Sequence, residues 1–195
     1  MHSITSGTAA HAEGRYSLAL GDGSHAEGLG TTMAFDPYGA SWYYTATSGG
    51  TAIGWGSHAE GGLTTAIGDQ SHAEGSGTTA YAGSSHAEGV NTIASGTASH
   101  AEGWYTTAKG NYSHAGGSGS TASGTTSFVH GSGSTAGGAT TIVLGDDITG
   151  TAANTLYINA LNIKTLPVYA DNTAAASLAT GTVYRTSTGQ LMVKY

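Results

Sequence analysis

The chain has 195 residues, among them 33 Gly, 2 Pro and no Cys, with only 9% charged side chains and a net charge of −7. So few bulky apolar side chains exclude an ordinary globular core, and the lack of Cys excludes a disulfide framework and thiolate metal sites. Five Lys/Arg against twelve Asp/Glu form no cluster that neutralises phosphates, so nucleic acid is excluded as a partner, and no apolar run of ~20 residues is present for a membrane span.

From the amino end, Met1 runs straight into repeat-like sequence rather than into the basic and apolar regions of a secretory signal. SITSG (3–7), AHAEG (10–14), SLALG (17–21) and SHAEG (24–28) hold a seven-residue frame. It reads hydroxyl, variable, Ala, variable, Gly, then two loose positions. Period-2 alternation over five residues predicts a short strand, and the Gly-led pair that follows predicts a tight turn. Two strands and two turns make one 14-residue coil of a parallel β-roll. A helix is a poor alternative, because Gly at every seventh position costs ~1 kcal/mol each time. A disordered linker would not keep a strict register.

The frame then breaks. His25 and His58 are 33 residues apart, read as two coils plus five residues, with an insertion at about 33–49. It concentrates aromatic residues: Phe35, Tyr38, Trp42, Tyr43 and Tyr44. A loop leaving a solenoid is a usual place for binding, and these rings suit a glycan or protein on a host surface. The alternative, which is preferred, is a hydrophobic plug packed on the roll or on a neighbouring chain. Trp55, Trp104 and Tyr105 sit at turns and are weaker candidates for either role.

From residue 57 the repeat is regular. SHAEG recurs at 57, 71, 85 and 99, and the frame continues through SFVHG (127–131) and TIVLG (141–145). Alternation places the small residues inside the coil and the second and fourth positions outside. In the TTAxG strands the fourth position varies (Ile67, Tyr81, Ser95, Lys109, Ser123), as on a solvated face. In the SHAEG strands both outward positions stay fixed. That uniformity predicts a packed face, shared between three chains. The expected interchain ladder is His11, Glu13, His25, Glu27, His58, Glu60, His72, Glu74, His86, Glu88, His100, Glu102 and His114. In it, His of one chain donates to Glu of the next, so that every buried polar group is satisfied.

Residues 146–195 leave the Gly-rich frame. Strands are predicted over 155–163, 182–186 and 190–195, with a turn at 187–189. This reads as a small β-rich segment that caps the roll, helps trimerisation or serves for attachment, which divides the chain into 1–145 and 146–195.

The 14-residue frame resembles the left-handed parallel β-roll repeats in the heads of trimeric autotransporter adhesins. Its SHAEG variant is similar to repeats of tailed-phage fibre and other virion structural proteins, as is the tail at 181–195. The expected fold is therefore all-β: a homotrimeric parallel β-roll or β-helix solenoid of about ten coils, ~4.8 Å per coil, with a small β-rich C-terminal segment. The resemblance implies a structural virion protein (fibre, spike or capsid decoration) that contacts other virion proteins. The alternative is a bacterial cell-surface or matrix adhesin head, outside the cell. Hydroxyl rows on an ice or crystal surface form a minor third reading, spoiled by Lys109 and Tyr81. No enzyme is expected, because Ser, His and Glu recur at every coil and single out no triad. No cofactor and no metal are expected either, since each strand carries one His and no His-x-His pair.

Overall fold

The computed structural model describes residues 3–14, 16–28, 50–160, 166–171, 173–180, 182–186, 188 and 190–193. Phe35, Tyr38, Trp42, Tyr43 and Tyr44 lie outside these residues. The chain divides into two compact units, Met1–Asn159 and Ala160–Tyr195.

In the first unit each half of the 14-residue repeat forms its own parallel sheet of ten strands. The His sheet runs from His11–Ala12 through His58–Gly62 and His86–Val90 to Leu156–Ile158. The Thr sheet runs from Ile4–Thr5 through Thr65–Ala66 to Thr149–Gly150. Neighbours in a sheet are one coil apart, so like residues face like: His72 pairs with His86, Ala73 with Ala87 and Glu74 with Glu88. The His86 N–H donates to the Ser99 carbonyl at 2.9 Å, and the Thr79 N–H to the Thr92 carbonyl at 2.9 Å. These ladders satisfy the backbone of a chain that has few side chains with which to shield it.

Only small residues fit between two sheets joined by such short turns. The inward third positions, from Ala26 to Ala115 in the His sheet and from Ala52 to Ala136 in the Thr sheet, are 0% exposed. The first position needs a hydroxyl because it points at turn carbonyls. Ser57 Oγ donates to the Gly54 oxygen at 2.8 Å, and Thr106 Oγ1 to the Glu102 oxygen at 2.9 Å. Turns recur every seven residues with one residue in the left-handed region, as at Gln70, Gly77, Ser84 and Asn91.

Two boundaries differ from the sequence reading. His25 pairs directly with His58, and Leu18 with Thr51. The 33-residue spacing is therefore one 14-residue step with 19 residues added (33 − 14), not two coils plus five. The added stretch includes Pro37, which has no N–H to give a ladder. At the other end the roll passes residue 145. Ile142 pairs with Leu156, Val143 with Tyr157 and Leu144 with Ile158, so the strand Leu156–Ile158, the start of the stretch read over 155–163, belongs to the roll. The Gly-rich composition stops there, but the 14-residue register does not. The coil interior enlarges to Val129, Val143 and Tyr157, and Gly150 opposite makes the room. A side-chain carbon on Gly150 would stand 2.6 Å from Tyr157 Cδ2 and 2.9 Å from Val143 Cγ2. The Tyr157 hydroxyl accepts the Ala152 N–H at 3.1 Å.

The second unit holds the hairpin expected around 187–189. Val183–Arg185 and Leu191–Val193 pair antiparallel. Tyr184 is fully buried and meets Tyr169 edge-on, with ring centroids 5.9 Å apart. The Arg185 N–H donates to the Pro167 carbonyl at 3.0 Å. The described residues contain strands and turns but no helix.

Candidate functional site

The second and fourth positions of each His-sheet strand point to the same outer side, so the parallel register piles them into two columns. One column is a stack of imidazoles. From His25 to His100, neighbouring rings lie 4.7–4.8 Å apart with planes within 7° of parallel. His11 extends the stack at 4.9 Å. The other column is carboxylate, from Glu13 to Glu102. From His25 to Glu102 the side chains in both columns are about one-third exposed, His72 and Glu74 for example at 33% and 32%, whereas His11 and Glu13 at the open end are mostly exposed. On the Thr sheet, by contrast, Tyr81, Ser95, Lys109 and Ser123 are exposed. The sequence-based assignment of inner and outer faces thus holds.

The pairing of His with Glu has its own logic. Each Nε2 lies beside a carboxylate of the same chain. His11, His25, His58 and His72 take the Glu of their own coil, at 3.6–3.8 Å. From His86 onward the pairing steps back one coil: His86 to Glu74 at 4.0 Å, His100 to Glu88 at 3.3 Å and His114 to Glu102 at 3.3 Å. Glu74 therefore serves two rings. The cause is arithmetic: seven histidines meet six glutamates, because Gly116 stands where a seventh Glu would be. The expected chain-to-chain donation is thus not required to place a carboxylate at Nε2. Yet Nε2 of His25, His58, His72, His86 and His100 is buried without an aligned hydrogen bond. For these five rings the contacts are charge-to-ring proximities rather than closed bonds, whereas His114 is hydrogen-bonded to Glu102.

Burial is the main reason that the His58, His86 and His114 imidazoles hold their protons less tightly than usual. Neighbouring rings add to it: His72 and His25 at His58, His72 and His100 at His86, and His100 at His114. Glu60, Glu88 and Glu102 resist the shift. The folded chain therefore prefers these rings neutral. An unfolded imidazole, with its usual pKa of about 6.5, binds protons first. Stability is then full above about pH 6.5 and falls as pH drops through that value toward the lowered folded ones. Melting temperatures measured from pH 8 to pH 5 should decline below that point. A flat or rising profile would contradict the assignment.

Past His114 the same columns change chemistry. The ring column continues as Phe128, Ile142 and Leu156, and the carboxylate column as Gly116, His130, Leu144 and Ile158. Ile142 is 43% exposed and Leu156 53%, and Leu144 and Ile158 are exposed beside them. The sequence reading passed over this apolar end and over His130. Both were visible as substitutions at the second and fourth positions of a frame already followed to residue 145. Trp104 and Tyr105, the weaker turn candidates, form an exposed edge-to-face pair with centroids 4.6 Å apart, and Trp55 is exposed on the opposite turns.

A family model described as the YadA head domain repeat matches residues 3–32, 59–81 and 87–113, in two copies. These spans carry His/Glu rungs on both sides of the insertion. No curated protein matches the sequence. Over those spans, less than half of the chain, the sequence is similar to the repeats of a trimeric autotransporter adhesin head, and the parallel β-roll agrees with that similarity. The similarity suggests an adhesin-like structural head domain. The match agrees with the adhesin alternative of the sequence reading and lends nothing to a virion role.

Proposed function

We propose that this chain is the head-type β-roll of a homotrimeric adhesin on a bacterial cell surface, a stiff, non-enzymatic module that holds its turns and loops outward for contact. The observation that carries the reading is the outer face of the His sheet. It repeats His and Glu over six rungs, is about one-third exposed from His25 to Glu102, and is continuous with an exposed apolar patch at Ile142, Leu144, Leu156 and Ile158. A face open to water needs neither uniformity nor that patch, whereas a face shared by three copies needs both. With Nε2 turned to its own chain, Nδ1 is the nitrogen left for a neighbour. In the trimer it meets the second oxygen of a neighbour's Glu, so that the ladder closes between chains. The Thr sheet, with its variable fourth position, faces water. The exposed Trp104–Tyr105 pair is the surface offered to a glycan or protein of the host.

The location is tested with an antibody against the purified chain. It should label intact cells of the organism that encodes the protein. Labelling confined to phage particles, or seen only after cells are permeabilised, would overturn the cell-surface reading and favour a virion structural role.

A further inference from the structure

The column of rungs has one chemical irregularity, around Gly116. Glu102 lies one coil below it and His130 one coil above, and both lean over the glycine. A side-chain carbon on Gly116 would stand 2.5 Å from His130 Nδ1 and 3.0 Å from Glu102 Oε1. His114 completes the group, with Nε2 3.3 Å from Glu102 Oε1. The ligand-type atoms of Glu102, His114 and His130 all lie within 4.8 Å of one another. Four ligands held ~2.0–2.2 Å from a tetrahedral ion sit roughly 3.3 Å apart, so the His114–Glu102 edge already has that length.

Ring orientation separates this group from the other rungs. An imidazole binds an ion along the lone pair in its ring plane. His58 and His72 also share a cluster with a carboxylate, Glu60, but their rings are parallel within 2° and 4.7 Å apart. An ion ~2 Å from one nitrogen, in that ring's plane, would lie far above the plane of the other. Stacked rungs therefore cannot converge two histidines on one ion. The remaining clusters, around His25, His86 and His100, offer one nitrogen each. At Gly116 the stacking is broken. The His114 ring is turned 86° from His100, and His130 enters from the carboxylate column instead of stacking on His114. Two imidazole nitrogens and one carboxylate oxygen, from three different coils, then lie within 4.8 Å of one another. The expectation of no metal counted ligands along single strands, whereas this set is assembled across the stack.

We propose that Glu102, His114 and His130 bind one divalent transition-metal ion of the Zn²⁺ class, through two imidazole nitrogens and one carboxylate oxygen, with water as fourth ligand. Gly116 is part of the site, because any side chain there would displace His130. The ion clips together three successive coils where the His/Glu columns give way to apolar ones. The ligands come from one chain, so the site does not depend on the trimer.

The test is calorimetric titration of the full chain with Zn²⁺ at pH 7.5, after dialysis against a chelator. One tight equivalent per chain is expected. H130A should weaken it by about a hundredfold, because a two-ligand site remains. H11A, at the far end of the stack, should leave it unchanged. His130 is exposed, so H130A should fold, which a melting curve checks. Co²⁺ gives a second readout: the intense visible bands of a four-coordinate ion in the parent, absent in H130A. Absence of a tight equivalent in the parent would overturn the proposal. So would several equal equivalents that H130A leaves intact, since the ion would then be held by the ladder at large.

Discussion

Gly89→Val should unfold the middle of the roll, lowering stability by about 3 kcal/mol or more. Gly89 closes a SHAEG strand with φ of +102°, a backbone region that side chains with a Cβ rarely enter. A Cβ there would also fall inside contact distance of the Gly103 carbonyl oxygen in the next coil. That oxygen accepts the Val90 N–H at 2.8 Å and cannot retreat without loss of a ladder bond. Strain and collision therefore act together on one rung of a stack in which every rung supports its neighbours. The contrasting change is Gly62→Ala. Nothing lies within 4 Å of a Cβ at Gly62, and Val90 and Trp104 occupy the same column. It should alter the melting temperature little. Equal loss in the two variants, read by urea or thermal melts, would show that glycine composition matters rather than position.

The second large effect concerns assembly. Replacing Ile142 and Leu156 together by Lys should convert a three-chain particle to single chains while leaving the β-roll circular dichroism intact. Both side chains point outward from the His sheet, so the fold of one chain does not need them. Burying a side chain of this size is worth about 1.5–3 kcal/mol, and each recurs three times about a three-fold axis. Lys at both positions replaces that gain with desolvation and mutual repulsion of like charges. A double variant that keeps the parent mass would place the interface elsewhere.

Much of this was legible because a solenoid writes its structure in the linear sequence. The 14-residue step fixed which residues stack, and alternation fixed which side each faces. The two glycine columns even differ visibly. In the SHAEG strands the column is unbroken from Gly14 to Gly145 among the described residues, where φ is positive. In the Thr-sheet strands Ala82 replaces Gly in a column that keeps negative φ. What was not legible lay in distances between coils. A spacing of 33 residues is compatible with either one coil step or two, and only the ladder between His25 and His58 decides. The carboxylate that serves each histidine depends on side-chain reach, so the change of partner at Glu74 has no sign along the strand. His130 was passed over for a related reason. Its nearest relevant neighbours, Glu102 and His114, are 28 and 16 residues away in sequence but adjacent in the stack. The apolar end was missed through attention to Gly and Ala, which persist in the frame longer than the outward pattern does.

The central claim is that the outer His/Glu face is a surface shared by three chains. Light scattering from the purified full chain at neutral pH, after chelator treatment, addresses it most directly. The account predicts the mass of three 19.3 kDa chains, about 58 kDa by multiplication, with no dependence on Zn²⁺. A particle with the mass of one chain would contradict it, and the His/Glu columns would then be a water-facing surface of a monomer.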